Sequence, residues 1–189
     1  QVFGYIGRLV DQKGVDLILE TLPGLLAHPN TQVIMQGTGD AALELALLRA
    51  AEANPGKVGV FVGYDEGLAH RIEAGSDAFL MPSHFEPCGL NQIYSLRYGT
   101  IPIVHKTGGL ADTVIDADPE QIARGEATGF CFEPANTQGL WSGIDRALRM
   151  YRERQDLWRL LVSSGMGKDF SWQASARKYE QLYADALGD

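Results

Sequence analysis

The stretch VFGYIGRLVDQKGVDLILETLPGLLAHPNTQVIMQ, residues 2–36, holds a complete strand–helix–strand unit. Val2–Ile6 is a short apolar run that reads as a β-strand, and Gln32–Gln36 reads as another. Between them Val15, Ile18, Leu19, Leu22 and Leu26 recur at helical spacing and form one apolar stripe. Pro23 interrupts that stripe, so a kink or a break is expected there, because proline has no N–H for the helix ladder. Such a unit brings its two strands side by side in parallel.

Outward from this unit the alternation continues. Further strands are expected at Val58–Val62, Ala78–Met81, Ile101–Val104 and Gly129–Phe132. Most are unbroken apolar runs, the pattern of strands covered on both faces. Helices are expected at Ala41–Ala53, stopped by Asn54-Pro55-Gly56, then at Asp65–Ala74 and Leu90–Tyr98. After Phe132 the chain turns helical: Leu140–Glu153, Gln155–Ser163, an interruption at Gly165-Met166-Gly167, and a closing helix capped by Ser171. Trp172, Ala176, Tyr179 and Tyr183 mark one face of that last helix. The expectation is an α/β fold, a doubly wound parallel sheet in a single domain over residues 1–189. Ligands of such sheets bind beyond the carboxyl ends of the strands.

Composition narrows the function. Sixteen Lys and Arg stand against 24 Asp and Glu, a net charge of −8, which argues against nucleic acid as a partner. No apolar run is long enough to span a membrane. Cys88 and Cys131 make neither a disulfide framework nor a zinc pattern, so no metal is expected. The first residues lack a signal-peptide layout and read as a strand already under way. The chain holds 22 glycines, and many fall where a strand passes into a helix.

Those loops hold the candidate chemistry. Gly7-Arg8-Leu9-Val10-Asp11-Gln12-Lys13-Gly14 follows the first strand and carries two cations five residues apart. They suit an anion near a helix N-terminus, although surface cations on a loop read equally well. Gln36-Gly37-Thr38-Gly39-Asp40 reads foremost as a turn in which Asp40 caps the next helix, with ligand contact as the lesser alternative. Tyr64 ends the third strand and either stacks on a planar ring or is simply half-buried. Pro82 to Gln92 is the richest loop: Glu86 precedes Cys88-Gly89, which would open a helix, leaving the N–H groups of Cys88, Gly89, Leu90 and Asn91 free for anionic or hydroxyl-bearing atoms. Glu86 accepts sugar hydroxyls, stabilises developing positive charge, or simply complements that helix end. Thr107-Gly108-Gly109-Leu110 is a further glycine-rich turn, for close ligand approach or for a tight connection.

In this order the motifs closely resemble the carboxyl-terminal half of bacterial glycogen synthase and plant starch synthase. The resemblance rests on Gly7-Arg8-Leu9 with Gln12-Lys13-Gly14, on Gly63-Tyr64, on Phe85-Glu86-Pro87-Cys88-Gly89-Leu90, and on Thr107-Gly108-Gly109-Leu110-Ala111-Asp112-Thr113-Val114. Phe170-Ser171-Trp172 resembles that family's terminal helix start. It implies a retaining glycosyltransferase of the two-domain GT-B architecture, with this chain its Rossmann-like carboxyl-terminal domain. The implied reaction moves glucose from ADP-glucose to the non-reducing end of an α-1,4-glucan, in the cytoplasm and without a cofactor or metal. By position, Arg8 and Lys13 would hold the diphosphate and Tyr64 would stack on adenine. Glu86 would face the donor glucose, with backbone at Cys88, Gly89, Leu90 and Asn91 around sugar and phosphate. Thr107, Gly108 and Gly109 would line the donor cleft, and the glucan acceptor would be held through a domain absent here.

Two departures bear on this. Many related transferases carry a second acid eight residues after the first, where this chain has Tyr94; the glycogen and starch synthase branch tends to lack it too. His84 stands where the family often has arginine. The resemblance further implies a core at 1–164 and a helical segment at 165–189 that crosses to the missing domain, leaving Trp172, Tyr179 and Tyr183 exposed or repacked. Alone, the chain would bind ADP weakly and transfer no glucose. The alternatives are a nucleotide-sugar epimerase of the same architecture and a non-enzymatic nucleotide- or glycan-binding module.

Overall fold

The computed structural model describes residues 1–187, so the last two residues of the expected 165–189 segment lie outside it. The chain runs β1 (Val2–Ile6), a 3-10 turn at Asp11–Lys13, α1 (Val15–Ala27), β2 (Gln32–Gly37), α2 (Ala41–Ala53), β3 (Val58–Val62), α3 (Glu66–Gly75) and β4 (Ala78–Met81). It continues as α4 (Asn91–Tyr98), β5 (Ile101–His105), α5 (Gly108–Thr113), α6 (Pro119–Arg124), β6 (Phe130–Phe132), α7 (Thr137–Glu153), α8 (Gln155–Met166) and α9 (Trp172–Leu187).

All six strands join one parallel sheet in the order β3-β2-β1-β4-β5-β6. β1 pairs β2 with Val2 opposite Gln32, and β4 with Phe3 opposite Ala78. Strand order therefore reverses between β1 and β4, and a crevice opens beyond their carboxyl ends. Helices cover both faces. Ala78 and Leu80 of β4 enter the larger core with α1, α7 and α8, whereas Phe79 and Met81 enter a smaller one with Ile72 of α3 and Leu110 of α5. This two-sided burial is why the strands read as unbroken apolar runs.

Three local expectations need correction. α1 continues through Pro23 without a break. An interior proline costs about 3 kcal/mol, but Leu22, Leu25 and Leu26 around it are all buried. Each such side chain is worth roughly 1.5–3 kcal/mol, so packing wins. Cys88-Gly89 does not open α4, which begins at Asn91; Gly89 has φ +73°, incompatible with a right-handed helix. α8 runs on through Gly165 to Met166, because a Cβ on Gly165 would lie 2.7 Å from Leu96 and its absence lets the helix sit on α4.

The expected caps form. Asp40 accepts from the N–H groups of Ala42 and Leu43, and Ser171 from that of Ala174. α6 was not anticipated, though Asp118 caps it, Pro119 occupies its first turn and Gly125 closes it.

Candidate functional site

Two loops at the reversal point form the site, one after β1 and one after β4. They are sewn together by backbone and side chain. The His84 N–H donates to the Gln12 carbonyl at 2.9 Å, and Gln12 Nε2 donates to the Phe85 carbonyl at 3.0 Å. Gly14, with φ +65°, lies so close to β4's loop that a Cβ would fall 2.2 Å from the Pro82 carbonyl oxygen. That proximity brings Lys13 Nζ onto Glu86 Oε2 as an ion pair, with Glu86 buried.

The same carboxylate oxygen also accepts from the buried Ser83 hydroxyl at 3.3 Å. The Ser83 carbonyl in turn accepts from His105 Nδ1 at 2.8 Å, which fixes the proton of that ring on Nδ1. Behind the pair, the Tyr5 hydroxyl donates to the Arg8 carbonyl at 3.1 Å. Burial, and then the charge of Glu86, raise the Tyr5 pKa against a lowering by Arg8, so the phenol stays a neutral donor.

A cavity of about 370 Å³ opens over these groups, walled by Arg8, Lys13, Ser83, Glu86, Gly89, Leu90 and Asn91. A second of about 270 Å³ adjoins it, walled by Gln36, Gly37, Thr38, Gly63 and Tyr64; Ile6, Gly7, Arg8 and Asn91 belong to both. Tyr64 is 77% exposed, so its ring is open for stacking. The N–H groups of Cys88 to Asn91 find no acceptor among the described residues.

Four expected residues lie apart from these cavities. Cys88 is a free, exposed thiol and walls neither. Thr107, the N-cap of α5, also walls neither, and Gly108 and Gly109 after it approach the 86–88 loop instead. The Gly109 N–H donates to the Glu86 carbonyl at 3.0 Å, and Cβ atoms on Gly108 and Gly109 would lie 2.2 and 2.1 Å from the carbonyl oxygens of Glu86 and Cys88. Their close backbone approach is to the loop that carries the acid. The structure adds roles for Ser83, Gln12, His105 and Gln36: Gln12 bonds Phe85, His105 bonds Ser83, and Gln36 Nε2 donates to the Asp65 carbonyl, all between segments distant in sequence.

Elsewhere, a 550 Å³ cavity sets Lys106 against Asp116, Asp118 and Glu133, a poor home for an anion. Cys131 on its wall has its thiol pushed up to about 12, chiefly by burial and then by Asp116. Among the described residues no helix is long and apolar enough to cross a membrane, and no group of three or more His, Cys, Asp or Glu is placed to hold a metal.

Residues 1–159 match the family described as glycosyl transferases group 1. Glycogen synthase 1 of Methylococcus capsulatus is 55% identical over 98% of this chain, and a glycogen synthase of Anaeromyxobacter dehalogenans is 56% identical over 96%. The chain spans 37% of the length of each. The catalytic domain of starch synthase IV from Arabidopsis thaliana, solved with ADP and acarbose, superposes over the whole chain with a TM-score of 0.88 and 38% identity, covering 38% of that protein. A sucrose-phosphate synthase from Thermosynechococcus elongatus, at 24% identity and TM-score 0.70, shares the fold. The fold is that of a Rossmann-like half of the GT-B architecture, and the chain belongs to the group 1 glycosyl transferases.

Proposed function

We propose that this chain is the donor-binding, carboxyl-terminal part of a glycogen synthase, which transfers glucose from ADP-glucose to the non-reducing end of an α-1,4-glucan with retention. One observation carries the reading: two joined cavities at the sheet's reversal point, one with Arg8, Lys13 and Glu86, the other with an open tyrosine face. The starch synthase solved with ADP and acarbose supports a nucleotide there and a glucan nearby.

In this reading adenine stacks on Tyr64 and the diphosphate lies against Arg8, Lys13 and the free N–H groups of residues 88–91. As the bond to glucose breaks, negative charge grows on the leaving ADP. Two cations, of which Lys13 is held in place by Glu86, and the free N–H groups stabilise that charge most strongly at the moment it forms. Glu86 has one oxygen committed to Lys13 and Ser83, which leaves Oε1 for the sugar. Gly108 and Gly109, which follow the N-cap residue Thr107, act by shaping the loop that carries Glu86.

Residues 165–189 complete the reading as the segment that packs on the amino-terminal part of the enzyme, which supplies the acceptor site. The 189 residues form one nucleotide-sugar-binding domain with its core at 1–164, in a cytoplasmic enzyme, and transfer no glucose alone. Calorimetric titration tests the donor assignment. ADP is expected to bind more tightly than UDP, and binding should weaken at least tenfold in Lys13→Ala. Equal affinity for ADP and UDP would remove the adenine assignment; unchanged ADP binding in Lys13→Ala would remove the phosphate one.

A further inference from the structure

Asn91 is the first residue of α4 and stands on the wall shared by both cavities. Its Nδ2 donates to the Ile6 carbonyl at 2.8 Å. A carbonyl oxygen only accepts, so the amide cannot turn over, and Oδ1 is directed away from β1. That oxygen has no partner among the described residues and, unlike Oε1 of Gln36 and Gln92, is not sealed from solvent. The site therefore presents one fixed, free acceptor between the tyrosine end and the cationic end.

An acceptor there needs a donor from the ligand. In ADP-glucose both phosphates are esterified, so their oxygens carry no proton at neutral pH and would repel the amide oxygen. In a nucleoside diphosphate whose base lies on Tyr64 and whose phosphates lie on Arg8 and Lys13, the ribose must lie between, against the shared wall. Its hydroxyls are the donors of the right chemistry at that place. Resting on the donor reading above, we infer that Asn91 Oδ1 accepts a hydrogen bond from a ribose hydroxyl, so that Asn91 selects ribonucleotide over deoxyribonucleotide donors. The Nδ2–Ile6 bond is what holds the oxygen in that pose.

The test is calorimetric titration of the full-length enzyme with ADP, 2′-deoxy-ADP and 3′-deoxy-ADP. Wild type, Asn91→Ala and the volume-conserving Asn91→Leu are compared, with thermal unfolding of each. These ligands carry no glucose, so a sugar hydroxyl of the donor cannot produce the result. Wild type is expected to bind ADP about fivefold more tightly than one of the deoxy analogues, the worth of one hydrogen bond. Both variants are expected to bind ADP and that analogue alike. A purely structural Asn91 would weaken all three ligands together and keep the difference, which would overturn the inference. Equal binding of all three by wild type would overturn it as well, with the donor reading intact. No binding of ADP by wild type would instead bring down the donor reading, and this inference with it.

Discussion

The loops at the end of β1 and β4 and the terminal helix α9 sit at opposite extremes of tertiary packing. In the loops each piece is held by another: Gln12 by His84 and Phe85, Lys13 by Glu86, Glu86 by Ser83, and Ser83 by His105. α9 has no buried residue at all, with Trp172 87% and Leu187 80% exposed. Yet its aromatic residues fall on one face, Tyr179 against Tyr183 with ring centroids 6.4 Å apart. The crevice proposed to take the nucleotide is thus braced by this chain's own residues, whereas α9 presents apolar area that nothing in the described chain covers.

That contrast can be broken at several points. The largest effect is expected at Gly14→Val, where a left-handed backbone and the Pro82 carbonyl both oppose a side chain. Chemical denaturation should show at least about 3 kcal/mol of destabilisation, with loss of ADP binding. A well-folded variant that binds ADP normally would mean that the two loops need not meet so closely. Next, Lys13→Ala should lower the transfer kcat of the full-length enzyme about 100-fold or more, while thermal unfolding shifts by only a few degrees.

A smaller effect concerns pH. Glu73 of α3 is buried and its pKa is raised to about 7, by burial first and against a lowering by His70. Its folded pKa lies above the unfolded value of 4.5, so the folded state binds the proton more tightly. Stability from this group is present at low pH and falls as pH rises from about 4.5 to about 7. Glu73→Gln should therefore stabilise the chain at pH 8 by about 1–2 kcal/mol and do little at pH 5, measured by urea unfolding. The smallest effect is expected at Trp172→Ser: within about 0.5 kcal/mol in the 189-residue chain. In the full-length enzyme it should be clearly destabilising. A large loss in the short chain would show that α9 is already packed there.

The sequence carried the sheet well, because continuous apolar runs such as Ala78–Met81 have no solvent face to blur them. It misled at Pro23, where the local penalty is legible but the burial of Leu25 and Leu26 that outweighs it is not. α6 had a full set of end signals in Asp118, Pro119 and Gly125 but only one turn of apolar pattern between them. In the site, Arg8, Lys13, Tyr64 and Glu86 announced themselves by residue type at strand ends. Ser83 and the side chain of Asn91 did not, since each matters through a bond to a residue distant in sequence, His105 in one case and Ile6 in the other. Gly108 and Gly109 were legible as sites of close approach, yet what approaches is the Glu86 loop.

The proposed function turns on whether the crevice beyond β1 and β4 binds the donor of a glucan synthase. The most direct measurement is incorporation of labelled glucose into glycogen by the full-length enzyme, from ADP-glucose and from UDP-glucose, with wild type beside Lys13→Ala. Transfer from ADP-glucose is expected to run well above that from UDP-glucose, and to collapse in the variant. Absence of transfer from ADP-glucose by a folded wild-type enzyme, or transfer undiminished by Lys13→Ala, would contradict that function.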